Sequence, residues 1–223
     1  MTITIDGYAG SGKSTAASLL ADALGYELLN TGAMYRAIGE ILDREGVDLE
    51  LASRDATKIR DIVEKCHFEL RNNIVFINGE DRNAHLRTER MNALASKVGT
   101  FKEVREHLKA EQIRIATGKK IICEGRDQGT VVFPKAILKF FFTANAEVRA
   151  LRRMLDLEKI NSPASYHEVY DQIIARDRQD ETRELDPLKE PANAVRIDTS
   201  TMNIDEVLEK MFAACKAANI HKR

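Results

Sequence analysis

DGYAGSGKST, residues 6–15, lies between a short apolar run and an amphipathic stretch. Gly7, Gly12, Lys13 and Ser14 satisfy G-x-x-x-x-G-K-[ST], a spacing that places a phosphate-binding loop between a strand and a helix. The glycines let successive backbone N–H groups turn inward onto phosphate oxygens, where side chains would obstruct the turn. Lys13 adds a positive charge near the β- and γ-phosphates. The Ser14 hydroxyl is a ligand for Mg²⁺, and the following helix points its positive end at the same place. Gly7, Tyr8, Ala9, Gly10, Ser11, Gly12, Lys13, Ser14 and Thr15 are therefore the expected nucleotide-binding residues, with the metal carried as a magnesium–nucleotide complex.

Outward from this loop, short apolar runs alternate with helical patterns. Residues 2–5, 27–29, 120–123, 137–142 and 194–197 read as strands. The clearest helix spans 204–215, where Ile204, Val207, Leu208, Met211 and Cys215 recur at helical spacing behind Asn203 as cap, with Glu206 three residues on. Alternating β and α predicts an α/β fold with a P-loop NTPase-type parallel sheet covered by helices on both faces. From Cys66 to Arg82 the pattern switches to period two, with NN and NG at hairpin positions, and predicts a small antiparallel meander.

Bulk properties narrow the function classes. A chain of 223 residues, 43% hydrophobic and 31% charged, accommodates one such domain and has neither disordered nor membrane composition. Its net charge of -1 and lack of tryptophan speak against a nucleic-acid-binding module, so an anion site must be a local cluster of basic groups. Three cysteines far apart, without a C-x-x-C pair, predict reduced buried thiols and fit the cytoplasm. No run approaches a membrane span, the first residues lack a secretion signal, and a monomer is expected. His67, beside Cys66 on an alternating strand, reads as structural or exposed rather than as a metal ligand, and the other four histidines have no partners at metal-ligand spacing.

The loop is shared by switch GTPases, motor ATPases and small-molecule kinases, so the phosphate acceptor must be read elsewhere. The guanine-reading N-K-x-D pattern of switch GTPases is missing. NTGAMYR (30–36) and EGRDQGT (124–130) each follow a predicted strand, which puts Thr31, Tyr35, Arg36, Arg126 and Asp127 at the carboxyl edge of the sheet, where open α/β folds bind ligands. A third stretch, RDRQDETRELDP (176–187), sets Arg176, Asp180 and Arg183 on one face if residues 165–183 are helical.

Together with SKVGTFKEVRE, RRML and IDTSTMNIDEV, these blocks resemble, in order, those of the bacterial cytidylate kinases from first strand to last helix. The resemblance implies a nucleoside monophosphate kinase that transfers the γ-phosphate of ATP to CMP or dCMP. Its expected layout is a core over about 1–65, 84–148 and 184–223, an acceptor-side meander over about 66–83 and a helical lid over about 149–183. It implies an acceptor site of Thr31, Tyr35, Arg36, Ser96, Arg105, Arg126, Asp127, Arg176, Asp180 and Arg183. The chemistry agrees: Arg36, Arg126 and Arg183 suit a phosphate, Asp127, Ser96 and Arg105 a cytosine edge, and Asp180 with Arg176 a ribose diol. Lys13, Arg126, Arg152 and Arg153 are the expected catalytic cations, and Arg149 resembles a further lid arginine. Three positions depart from the family pattern: Tyr8 stands in place of proline, Asn30 in place of aspartate, and Glu124 where aspartate also occurs.

Overall fold

The computed structural model describes residues 1–50, 55–82, 86, 88–159 and 164–221. Its main sheet has five parallel strands in the order β2-β6-β1-β7-β8. These are β1 (Thr2–Gly7), β2 (Glu27–Asn30), β6 (Ile121–Glu124), β7 (Leu138–Thr143) and β8 (Val195–Asp198). The expected runs are all present, each within one or two residues of its predicted limits. In β6 the two-residue period sends Ile121 and Cys123 into one apolar core and Ile122 into the other, which is why the strand reads as an unbroken hydrophobic run.

One core lies under α1 (Lys13–Leu24) and α8 (Ile204–Ala217). The other lies under α2 (Thr31–Arg44), α3 (Ala56–Val63), α4 (Glu89–Val98) and α5 (Lys102–Ala116). Asn203 and Glu206 form a reciprocal capping box at the start of α8, and Ser165 and Glu168 form another at α7 (Tyr166–Thr182). Each such cap contributes about 1 kcal/mol. The helix expected over 165–183 is thus trimmed at both ends: Ser165 is its cap, and Arg183 leaves it with φ −58° and ψ 142°. α6 (Ala146–Lys159) packs on α7 through Ala150, Leu157, Val169 and Ile173.

The period-two stretch folds as the meander β3 (Phe68–Arg71), β4 (Ile74–Ile77) and β5 (Glu80–Asp81). Asn72 and Asn73 have φ of 51° and 63°, and Asn78 and Gly79 have 50° and 83°; such left-handed pairs match the twist of tight hairpins. Asn73 Oδ1 accepts the Leu28 N–H at 2.8 Å, so the meander engages the edge strand β2. The expected boundary at 83–84 and residues 160–163 of the expected lid lie outside the described residues. Cys66, Cys123 and Cys215 are free and buried. Among the described residues, no helix is long and apolar enough to cross a membrane.

Candidate active site

The loop between β1 and α1 approaches β7 so closely that a Cβ on Gly7, at φ 140°, would stand 2.0 Å from the Phe142 carbonyl oxygen. Gly12, at φ 85°, is the residue from which α1 starts. The Lys13 ammonium donates to the Tyr8 carbonyl at 2.5 Å and lies 3.5 Å from Ser11 Oγ, while Ser11 Oγ donates to the same carbonyl at 2.8 Å. Burial, followed by repulsion from Arg126, lowers the Lys13 pKa to about 7.

Ser14 Oγ donates to Glu124 Oε2 at 3.0 Å across the first turn of α1. Asn30 caps α2, its Oδ1 accepting the Ala33 N–H at 3.2 Å, and borders the same space. The hydroxyl and carboxylate are hard oxygen donors of the kind Mg²⁺ takes, directly or through water.

In front of the loop is a cavity of about 610 Å³. Ala9, Gly10, Gly12, Lys13, Ser14 and Thr15 line one end. All ten acceptor-side residues named from the sequence, which come from α2, α4, α5, the turn after β6 and the end of α7, line the rest. Gly7, Tyr8 and Ser11 do not line it: Gly7 is hidden behind the loop, Ser11 is buried, and Tyr8 turns its ring away to donate to Glu181 Oε1 at 2.6 Å.

Two charge groupings divide the cavity. Arg105 donates to Asp127 Oδ2 in a short bond and to Asp186 Oδ2 at 2.7 Å, and Arg183 NH2 stands 3.7 Å from the same Asp127 oxygen. Gln128, itself held by Gln112 at 3.0 Å, lies 3.3 Å from Asp127 Oδ1. Nearer the P-loop, Arg126 pairs with Asp180 at 3.0 Å. Arg176 is half-buried, with Arg126, Arg36 and Arg153 close enough to disfavour its charge; desolvation first, then these neighbours, lower its pKa to about 10 against the pull of Asp180. Lys13 feels the same cations, Arg126 and Arg176. An otherwise nearly neutral protein thus concentrates positive charge where Arg36, Arg126, Arg153, Arg176 and Lys13 converge. Such clustering is costly without anions and favourable with them.

The arginines of α6 separate by role. Arg152 donates to Thr199 Oγ1 at 3.0 Å and Thr199 O at 2.7 Å, Arg153 pairs with Glu89, and both side chains border the cavity. Arg149, expected to face the transferred group, is instead buried behind the loop. It pairs with Asp177 at 2.6 Å, donates to Ala144 O at 2.8 Å and Ala9 O at 3.3 Å, and its guanidinium carbon lies 5.3 Å from the centre of the Tyr8 ring. The packing of α6 on α7 turns position 149 inward. Sequence reasoning also passed over Asp6, which is fully buried and accepts the Gln128 and Gly129 N–H groups at 2.8 and 2.7 Å. The acidic partners Asp177 and Asp186 were likewise missed, although both sit inside the quoted RDRQDETRELDP block.

Comparison with known proteins gives a consistent result. The family profile described as Cytidylate kinase matches residues 3–217. A cytidylate kinase from Fervidobacterium nodosum is 42% identical over 214 residues, covering 96% of this chain and 95% of that protein. One from Thermosipho africanus is 43% identical over 211 residues, covering 94% and 92%. Among solved structures, a shikimate kinase from Bacteroides thetaiotaomicron shares the fold at a TM-score of 0.51, with 14% identity and 97% and 98% coverage.

Proposed function

The chain belongs to the cytidylate kinase family, and on that premise we propose that it transfers the γ-phosphate of ATP to CMP or dCMP, giving ADP and CDP or dCDP. The observation that carries this reading is the single cavity in which the phosphate loop and ten acceptor-side residues meet around a cluster of cations.

Phosphoryl transfer has a loose transition state, so the protein's task is to align two phosphates and neutralise charge. Backbone N–H groups of the loop and Lys13 hold the ATP phosphates. Ser14 and Glu124 would hold Mg²⁺, which would supply neutralisation of the phosphate charge of ATP. Arg36, Arg126 and Arg176 take the CMP phosphate, an arrangement that moves Arg176 from the ribose to the phosphate because its charged neighbours are mostly cations. Arg183 moves the other way, to the Asp127 grouping. Asp127 accepts the exocyclic amine of cytosine, with Arg105 and Ser96 beside it, and Asp180 is left for the ribose. Arg152 and Arg153 neutralise the group in flight and help exclude water, whose attack would waste ATP. The acceptor phosphate is already ionised at neutral pH, and no side chain serves as general base.

The direct test is a coupled assay of ADP formation with Mg²⁺·ATP, offering CMP, dCMP, UMP, AMP and GMP separately beside a no-acceptor control. Turnover with CMP and dCMP far above the others supports the reading. Equal ADP release without any acceptor would make the protein an ATPase and remove the acceptor site.

A further inference from the structure

Asp186 has φ 47°, the left-handed region that a non-glycine residue enters at a cost. The next residue is Pro187, which by itself pushes its predecessor toward extended backbone. A residue held in such a conformation must be fixed by its surroundings, and here two guanidiniums fix it. The Asp186 carbonyl accepts from Arg183 Nε at 2.9 Å and from Arg183 NH2 at 2.5 Å. Its carboxylate Oδ2 accepts from Arg105 Nε at 2.7 Å. Those two arginines are the ones that face Asp127 Oδ2, Arg105 in its short bond and Arg183 at 3.7 Å.

We propose that Asp186 is a positioning residue for base selection: its carbonyl and carboxylate lock Arg183 and Arg105 around Asp127, so that the Asp127 carboxylate keeps one orientation toward the acceptor base. The left-handed turn is what lets one residue reach both arginines, since its carbonyl takes Arg183 while its side chain turns back to Arg105. Without the Asp186 carboxylate, Arg105 keeps its bonds to Gly99 O, at 3.1 Å, and to Asp127, but its Nε loses the acceptor that sets the plane of the guanidinium. Asp127 then swings with it. A carboxylate free to swing accepts an amine less selectively, and discrimination between a base that offers an amine and one that offers a carbonyl falls. The ATP end of the cavity makes no contact with Asp186 and is unaffected.

This inference rests on the acceptor assignment above. Two variants test it. Asp186→Gly tolerates the positive φ and removes the carboxylate, and Asp186→Asn tolerates it while keeping a neutral oxygen acceptor. The Asp186 side chain is about one-third exposed, so neither change opens a core cavity. kcat and KM are measured with CMP and UMP at saturating Mg²⁺·ATP, and KM for ATP at saturating CMP. For Asp186→Gly, the ratio of kcat/KM for CMP over UMP is expected to fall about tenfold, mainly through a higher KM for CMP. Asp186→Asn should lose less, and KM for ATP should stay within about twofold in both, as expected for uncoupled sites. An unchanged CMP-to-UMP ratio in both variants, or an equal loss of kcat with both acceptors, would overturn the role of Asp186. If the wild-type protein itself does not prefer CMP, the acceptor assignment fails and Asp186 falls with it.

Discussion

The Asp6 carboxylate at the end of β1 accepts the Gly129 N–H at 2.7 Å, so the strand that leads into the phosphate loop also holds the turn that carries Arg126 and Asp127. Its other oxygen takes the Gln128 N–H at 2.8 Å. Asp6 forms no ion pair among the described residues, and burial raises its pKa from 3.8 to about 7 despite those two donors.

Stability should therefore depend on pH through Asp6. The folded chain binds this proton more tightly than the unfolded chain, so the contribution is fully present below about pH 4 and is lost as pH rises through about 7. Asp6→Asn, which does not titrate, removes that slope. Urea midpoints of wild type and variant, measured in parallel at several pH values, should show the wild type losing ground to Asp6→Asn between pH 4 and 7. A constant gap across that range would mean that Asp6 ionises normally.

Lys13 makes the opposite demand and carries the largest functional cost. Its pKa falls from 10.5 in the unfolded chain to about 7 when folded, so folding releases a proton between those values. The associated stability is present above about 10.5 and lost as pH falls through 7. Lys13→Met keeps the volume and removes the buried charge. Turnover should drop by about 10³-fold or more, as for other charge-stabilising groups. At pH 7–8 the melting temperature should equal or exceed that of the wild type. A variant that melted lower and still turned over would refute both expectations.

Arg149→Met should act on stability and leave substrate recognition alone. It strips the ion-pair partner from Oδ2 of Asp177, which is buried and whose Oδ1 already lacks a hydrogen-bond partner among the described residues. Leaving one half of a buried pair costs about 3 kcal/mol, which for a chain of this size lowers the melting temperature by roughly 6–12 °C. KM for CMP, measured where the variant remains folded, should be unchanged. A normal melting temperature combined with lost phosphoryl transfer would return Arg149 to the lid role its sequence neighbours suggest.

Gly7→Ala tests how tightly β1 is seated. The new methyl would meet the Phe142 carbonyl oxygen at 2.0 Å on a backbone with φ 140°, and both are strands of the sheet centre that cannot give way cheaply. A loss of about 4 kcal/mol or more is expected, seen as a strongly lowered urea midpoint or as insoluble protein.

Features built from neighbouring residues were legible in the sequence. The phosphate loop is one contiguous motif, the strands are contiguous apolar runs, and the hairpins announce themselves as Asn-Asn and Asn-Gly because those residues tolerate positive φ. The capping pair Asn203 and Glu206 was readable for the same reason. What could not be read was decided by packing between distant segments. Arg149, Arg152 and Arg153 are chemically identical, and only the seating of α6 against α7 buries the first and leaves the other two at the cavity. Tyr8 meets Glu181 across 173 positions, and Arg105 meets Asp186 across 81, with no local signal for either pairing. Asp6 carries no local signal of its role, because backbone N–H partners leave no mark on residue identity.

The strand order bears on how the chain is made. β1 is the centre of the sheet, but its two neighbours, β6 and β7, are encoded far downstream, so that Gly7 lies beside Phe142. While the ribosome adds residues at roughly 5–20 per second, β1 must wait on the order of ten seconds for the segments that flank it. During that interval Ile3 and Ile5, fully buried in the finished protein, have no sheet to enter. The phosphate loop, encoded ahead of the acceptor-side residues, has to wait for β6 and β7 before its strand is flanked.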